Sequence, residues 1–219
     1  MRRDGPPAKY RGTPHAYILN AGERLWRVHS RQYDAIEFND VKTDEHFGGG
    51  RFDGTKADPY PYYYAATEQT TALAEVFLRD ELRFNQWGYR TIQRAAIDGR
   101  RISAVQTARN LMLVALRTGP DLAAAAASTW LVQGGSDYGP SRAVSHWLRD
   151  SAPWAQGLIW TSTIDLGKPS VVLFGDRCGR SALKEVPEHA MDLDDERGRT
   201  WLNATLAPYH TLVRRPRRH

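Results

Sequence analysis

Two short apolar runs in the last third of the chain constrain its fold more than any other feature. Gly157-Leu158-Ile159-Trp160 and Ser170-Val171-Val172-Leu173-Phe174 are almost entirely hydrophobic. Near-continuous apolar runs of this kind are typical of strands that are buried on both faces. The sequence therefore predicts that both segments lie inside a covered sheet.

Further strands and helices are predicted on both sides of these runs. Leu25-Trp26-Arg27-Val28 and Tyr62-Tyr63-Tyr64-Ala65-Ala66 have the composition of strands, and a third strand is expected over 91–97. Helices are predicted over 70–83, 104–117, 121–132, 141–150 and 194–206. The segment 30–61 between the first two strands is long, polar and rich in glycine. Because the strands and helices do not alternate regularly, we expect a mixed α/β or α+β fold rather than a doubly wound sheet.

Length and charge together favour one domain with basic ends. The 219 residues are enough for a real core, and 41% of them are hydrophobic. Of the net charge of +5, residues 1–11 carry +3 and residues 214–219 carry +4, which leaves −2 for the body. We expect a flexible basic segment over 1–16, a catalytic domain over 17–208 and a basic tail over 209–219. Such tails bind nucleic acid weakly, and they are more often simply solvated.

The chain contains no apolar stretch near the roughly 20 residues needed to span a bilayer, and no signal peptide is recognisable. We therefore expect a cytoplasmic protein. A single cysteine, Cys178, rules out an internal disulfide and a CxxC metal site.

The familiar catalytic motifs are missing. Gly48 and Gly50 begin a G-x-G-x-x-G pattern that ends in Asp53, and the sequence has no P-loop, no nucleophile elbow and no H-E-x-x-H. We expect no metal. Glu75 is the unusual residue, because it lies on a partly apolar face of the predicted helix 70–83. A carboxylate there is either half of a structural ion pair or a site residue.

Several short motifs occur in an order that resembles the RES family, which is named for an arginine, a glutamate and a serine. They are Leu25-Trp26-Arg27-Val28, Gly50-Arg51-Phe52-Asp53, Tyr64-Ala65-Ala66 followed by Ala72-Leu73-Ala74-Glu75, and Gly157-Leu158-Ile159-Trp160-Thr161-Ser162. The resemblance covers roughly residues 20–180. It departs from the family at Asp53, where asparagine is usual. It implies an ADP-ribosyltransferase-like fold and a toxin of a bacterial toxin–antitoxin pair that depletes NAD.

The resemblance also implies roles for particular residues. Glu75, Arg27 and Ser162 become the catalytic candidates: Glu75 stabilises positive charge on the ribose, Arg27 binds pyrophosphate and Ser162 positions the substrate. Arg51 is the second candidate arginine, and Tyr64 and Phe52 are candidate surfaces for the nucleotide rings. Purely structural roles for these residues stay open at this stage.

NAD is expected as a substrate, with no prosthetic group, and inorganic phosphate is a co-substrate if cleavage is phosphorolytic. The expected partner is an antitoxin with a helix-turn-helix DNA-binding part, which plugs the toxin's site. Two other functions remain open. The same residues would support transfer of ADP-ribose to a macromolecule, and the basic ends would support a non-catalytic nucleic-acid or partner-binding module.

Overall fold

The computed structural model describes residues 9–79, 83–133 and 137–214. Within them the strands are β1 (Ala16–Leu19), β2 (Arg24–Ser30), β3 (Tyr62–Ala66), β4 (Arg90–Ile92), β5 (Arg100–Thr107), β6 (Leu111–Leu116), β7 (Gly157–Thr161), β8 (Pro169–Phe174), β9 (Leu183–Asp192) and β10 (Thr211–Val213). The helices are α1 (Gln69–Phe77), α2 (Arg94–Ile97), α3 (Gly119–Ala124), α4 (Gly139–Ser151), α5 (Gly175–Cys178) and α6 (Glu196–Leu206). None of the helices in these ranges is both long and apolar enough to cross a membrane.

Eight strands form one sheet in the order β1-β6-β7-β8-β3-β2-β5-β9, and β10 and β4 form a second sheet of two strands. In the large sheet only the β6–β7 pair is parallel. Strands β7 and β8, predicted from their apolar runs, lie at the centre and are buried along nearly their whole length. The predicted mixed α/β fold in a single domain is confirmed.

The sheet is covered on both faces. On one face α4 packs against β7 and β8, while α1 and α6 pack beside it against β2 and β5, which gives two neighbouring core clusters. On the opposite face a third cluster includes Leu25, Tyr63 and Ile159, and residues 35–38 close over it. Because side chains alternate along a strand, Tyr62 and Tyr64 point to the α4 side, whereas Tyr63 points away from it.

The predicted helix over 104–117 is wrong. Its residues belong to the paired strands β5 and β6, and β5 is bonded on both sides, to β2 and to β9. Strand pairing across the sheet here outweighs local helix propensity. The predicted strand over 91–97 also ends early, at Ile92, and α2 follows it. The predicted helix over 121–132 stops at Ala124, and Ala126 takes a positive φ of 50°.

The other predicted helices are correct in place and differ at their ends. Helix α1 ends at Phe77 instead of residue 83, and 80–82 lie outside the described residues. Helices α4 and α6 lie within a few residues of their predicted bounds. Residues 1–8 of the predicted N-terminal segment and 215–219 of the predicted tail are also outside the described ranges. Residues 211–213 of that tail form β10, in which Thr211 and Val213 are buried.

Candidate active site

A cavity of about 440 Å³ opens where strands β2 and β3 part. The two strands pair only at Trp26 and Ala66, so the sheet is open beyond that point. Helix α1, the long segment 31–61 and the end of β7 complete the walls. The volume lies in the usual range of small-molecule sites, roughly 300–1,000 Å³. The cavity therefore lies where the α1 and α4 core clusters meet.

Glu75 and Arg51 face each other in this cavity. Arg51 Nη1 lies 4.0 Å from Glu75 Oε2, and the two side chains are 3% and 15% exposed. Among the described residues, Arg51 Nε and Glu75 Oε1 are buried and have no hydrogen-bond partner. Helix α1 supplies Glu75, and the glycine-rich segment 48–54 supplies Arg51. The two charged groups approach each other through one pair of atoms only, so a donor on Arg51 and an acceptor on Glu75 remain available for a polar ligand.

The backbone of the glycine-rich segment is held in a fixed shape around Arg51. Asp53 Oδ2 accepts a hydrogen bond from Gly50 N at 2.8 Å, and the Tyr64 hydroxyl accepts one from Phe52 N at 2.9 Å. Gly49 has a φ of +61°, and a Cβ there would lie 2.2 Å from Asp53 Oδ2. Burial raises the pKa of Asp53, and the bond from Gly50 offsets part of that rise.

Arg27 lines the cavity, but its hydrogen bonds are with the chain itself. Its Nη1 donates to the carbonyl of Glu37 and, at 3.4 Å, to that of Ala35. The guanidinium lies 4.4 Å from the centroid of the Tyr63 ring, on the face of the sheet opposite Tyr64. Burial lowers the pKa of Arg27. The arginine that approaches Glu75 is therefore Arg51, and Arg27 holds the segment that forms the cavity's outer wall.

Tyr64 and Phe52 were both predicted as ring surfaces, and the structure separates them. Tyr64 lines the cavity, with its ring packed edge-on to Trp160 at 6.2 Å. Phe52 is fully buried, packs on Trp160 at 5.2 Å and does not line the cavity. Phe52 thus anchors the glycine-rich segment to the core.

Ser162 does not line the cavity. It follows β7 directly, and its Oγ accepts hydrogen bonds from Ile164 N at 3.2 Å and Asp165 N at 3.0 Å. Asp165 in turn accepts from the hydroxyls of Thr70 and Thr71 in the first turn of α1. Ser162 therefore holds the loop that follows β7, and Asp165 of that loop contacts the first turn of α1.

The serine that lines the cavity is Ser170, at the start of β8. It pairs with Trp160 on one side and with Ala66 on the other. Ser170 Oγ and Trp160 Nε1 are buried without a hydrogen-bond partner among the described residues, like the two atoms at Arg51 and Glu75. Sequence reasoning missed both residues, because each lies inside an apolar run that indicates core. Their polar atoms on otherwise apolar strands were the available signal.

The cavity wall mixes both signs of charge. Its cations are Arg27, Arg51, Arg79 and Arg100, and its carboxylates are Glu37, Asp40, Asp53 and Glu75. Arg79 donates to the carbonyl of Gly49 at 2.8 Å. Separate cationic and anionic groups in one concave site suit a ligand that itself carries anionic and cationic parts.

The fold is thus a mixed sheet with a polar cavity at the break between β2 and β3. The RES domain model matches residues 24–196, and the chain belongs to this family. The fold is similar to that of a chain in the crystal structure of the M. tuberculosis MbcT–MbcA toxin–antitoxin complex. The TM-score is 0.57 and the identity 18%, over 84% of this chain and 87% of that one. Among curated protein sequences, none matches this chain.

Proposed function

We propose that this protein cleaves the bond between nicotinamide and ribose in NAD and acts as a toxin. The observation that carries the proposal is the Arg51–Glu75 pair in the cavity wall, with its 4.0 Å approach and with Arg51 Nε and Glu75 Oε1 buried without a hydrogen-bond partner in the described part of the chain. A buried polar atom without a partner costs about 1–3 kcal/mol. A substrate that supplies hydroxyl and phosphate groups would satisfy several such atoms at once.

The chemistry of NAD fits these groups. Breaking the nicotinamide–ribose bond develops positive charge on the ribose, as in glycoside cleavage, and nicotinamide leaves as a neutral base. A carboxylate beside the ribose stabilises that charge, and its effect is larger in a site that excludes water. In this proposal Glu75 has that role, because it lies in the cavity wall.

The remaining wall residues would bind and orient NAD. The planar guanidinium of Arg51 matches phosphate oxygens, and Arg27 at the outer wall supplies a second cation. In this proposal Tyr64 and Trp160 supply ring surfaces, and polar groups of the substrate bond to the Trp160 N–H and the Ser170 hydroxyl, which are buried without a partner among the residues that the structure describes. We propose Ser170, in place of Ser162, as the serine that contacts substrate. No prosthetic group is needed for this reaction.

Nicotinamide release is the direct test. Purified protein is incubated with NAD, with and without inorganic phosphate, and nicotinamide and the ADP-ribose product are measured. We expect Glu75→Gln to lower kcat by roughly 100-fold or more, because the stabilising charge is lost. Glu188→Gln is the matched control, since Glu188 is exposed on β9, and it should keep full activity.

Loss of NAD at the same rate in Glu75→Gln, or no loss in the wild type, would refute the assignment. NAD carrying a label on its ADP-ribose part identifies the acceptor. Label in ADP-ribose 1-phosphate indicates phosphorolysis and label in free ADP-ribose indicates hydrolysis. Label on protein or nucleic acid supports the alternative, transfer to a macromolecule.

A partner antitoxin with a helix-turn-helix part belongs to the same proposal. The similar solved structure is a toxin–antitoxin complex. Exposed apolar side chains also lie around the cavity here: Tyr33, Val41 and Val76 are 49%, 59% and 42% exposed. A partner that covers this rim would close the site. We expect such a protein, encoded beside this chain, to stop NAD loss when the two are mixed, and continued NAD loss in the mixture would argue against it.

A further inference from the structure

Arg142 is a buried cation outside the cavity wall. It lies in the first turns of α4, it is 1% exposed, and it does not line the cavity. Ion pairs among the described residues do not include it. A buried guanidinium is costly unless its donors are satisfied, so the groups that it bonds to are under strong constraint.

The partners of Arg142 are main-chain carbonyls of the segment that carries Arg51. Its Nε and Nη2 donate to Gly50 O at 3.2 and 3.0 Å, and it also donates to the carbonyls of Gly48 and Asp44. One planar fork thus fixes three carbonyls within seven residues. Bidentate and forked bonds from arginine are both strong and directional.

The same segment is held from its other side by groups of the cavity. Asp53 accepts from Gly50 N, so Gly50 is bonded through both its N–H and its carbonyl. Tyr64 fixes Phe52 N just beyond Arg51. The peptide groups on either side of Arg51 are therefore both fixed, and they set the direction in which its side chain leaves the backbone.

We propose that Arg142 is a positioning residue, which holds the segment 44–50 so that Arg51 meets Glu75 across the substrate. This inference rests on the proposed function for its kinetic part. Arg142 acts through Arg51 and touches no substrate. Arginine is required because a lysine ammonium is a compact point charge, and it cannot span three carbonyls with one planar group.

The kinetic test is a double-mutant cycle between Arg142 and Arg51. We expect Arg142→Lys to lower kcat/KM for NAD by roughly 100-fold, because displacement of a binding group by about 1 Å has effects of that size. In an Arg51→Ala background the same change should lower kcat/KM by less than about twofold, because the residue through which it acts is already gone. Losses that multiply in the double variant would overturn the proposal.

A matched control distinguishes positioning from general loss of stability. Arg149 lies on the same helix α4 and is similarly buried, but it bonds to Asp58 and Asp176 instead of the glycine-rich segment. Arg149→Lys should lower the melting temperature and leave kcat/KM unchanged in folded protein. If Arg142→Lys does not fold, Arg142→Gln replaces it, because a neutral side chain leaves no unsatisfied charge in the interior.

Amide hydrogen exchange gives a test that does not depend on NAD. We expect the amides of Gly50 and Phe52 to exchange at least about tenfold faster in the Arg142 variant than in Arg149→Lys, because the segment is released. Unchanged exchange would overturn the positioning role. If the wild type releases no nicotinamide but the exchange result holds, the proposed function fails and the structural role of Arg142 stands.

Discussion

Removing the hydroxyl of Ser162 and that of Ser170, one at a time, is the sharpest test of which serine contacts the substrate. In Ser162→Ala the N–H groups of Ile164 and Asp165 lose their common acceptor. Each hydrogen bond contributes about 0.5–1.5 kcal/mol, so the variant should lose roughly 1–3 kcal/mol of unfolding free energy. For a chain of this size that corresponds to a fall of several degrees in Tm, at roughly 2–4 °C per kcal/mol.

Ser170→Ala should behave in the opposite way. The hydroxyl it removes is buried without a partner among the described residues, so Tm should stay within about 2 °C of the wild type or rise. If the hydroxyl bonds to substrate, kcat/KM for NAD should fall by roughly tenfold, the equivalent of about 1.4 kcal/mol. Each serine variant serves as the control for the other.

The assay combines thermal unfolding with nicotinamide release, measured at least about 15 °C below the lower Tm so that both variants are folded. The expected pattern is lost stability with near-normal kcat/KM for Ser162→Ala, and lost activity with normal stability for Ser170→Ala. If Ser162→Ala lost more kcat/KM at that temperature than Ser170→Ala, the assignment of Ser170 as the substrate-contacting serine would be refuted and Ser162 would be the serine at the substrate.

Two further predictions concern the walls of the site. Burial, with the nearby Arg27 guanidinium, lowers the pKa of His29 to about 4, so below its unfolded pKa near 6.5 the unfolded chain binds a proton that the folded chain does not. The free energy of unfolding of the wild type should therefore fall by up to about 3 kcal/mol between pH 6.5 and 4. In His29→Gln, thermal unfolding should show a smaller fall over the same pH range. Equal falls in the two proteins would exclude His29 as the cause. Phe52→Leu should lower Tm through a loss of roughly 1–3 kcal/mol, because a fully buried ring is replaced by a smaller side chain, and it should leave KM for NAD within about twofold. A tenfold rise in KM with unchanged Tm would show that Phe52 contacts the substrate.

Local pattern was sufficient for much of the sheet and for most of the helices. The apolar runs of β7 and β8 and the aromatic run of β3 were predicted from composition alone, and α4 and α6 were predicted to within a few residues of their bounds. Strands β5 and β6 were not predictable in this way. β5 is stabilised by backbone hydrogen bonds to β2, about 80 residues earlier in the sequence, and to β9, about 80 residues later. Such pairing energy does not appear in any local window.

At the site, the sequence by itself singled out Glu75 as a carboxylate that needs a partner, and it left open whether that partner is a structural cation or a ligand. Which arginine and which serine accompany it was decided only by the tertiary structure. Arg27 and Arg51 both follow from the resemblance, but one points to the Tyr63 side of the sheet and the other to Glu75. Ser162 and Ser170 lie at the same end of one hairpin. Alternation alone would put Ser162 on the same face as Trp160. However, β7 ends at Thr161 and Ser162 Oγ bonds to the N–H groups of Ile164 and Asp165, so Ser170 is the one of the two serines that lines the cavity.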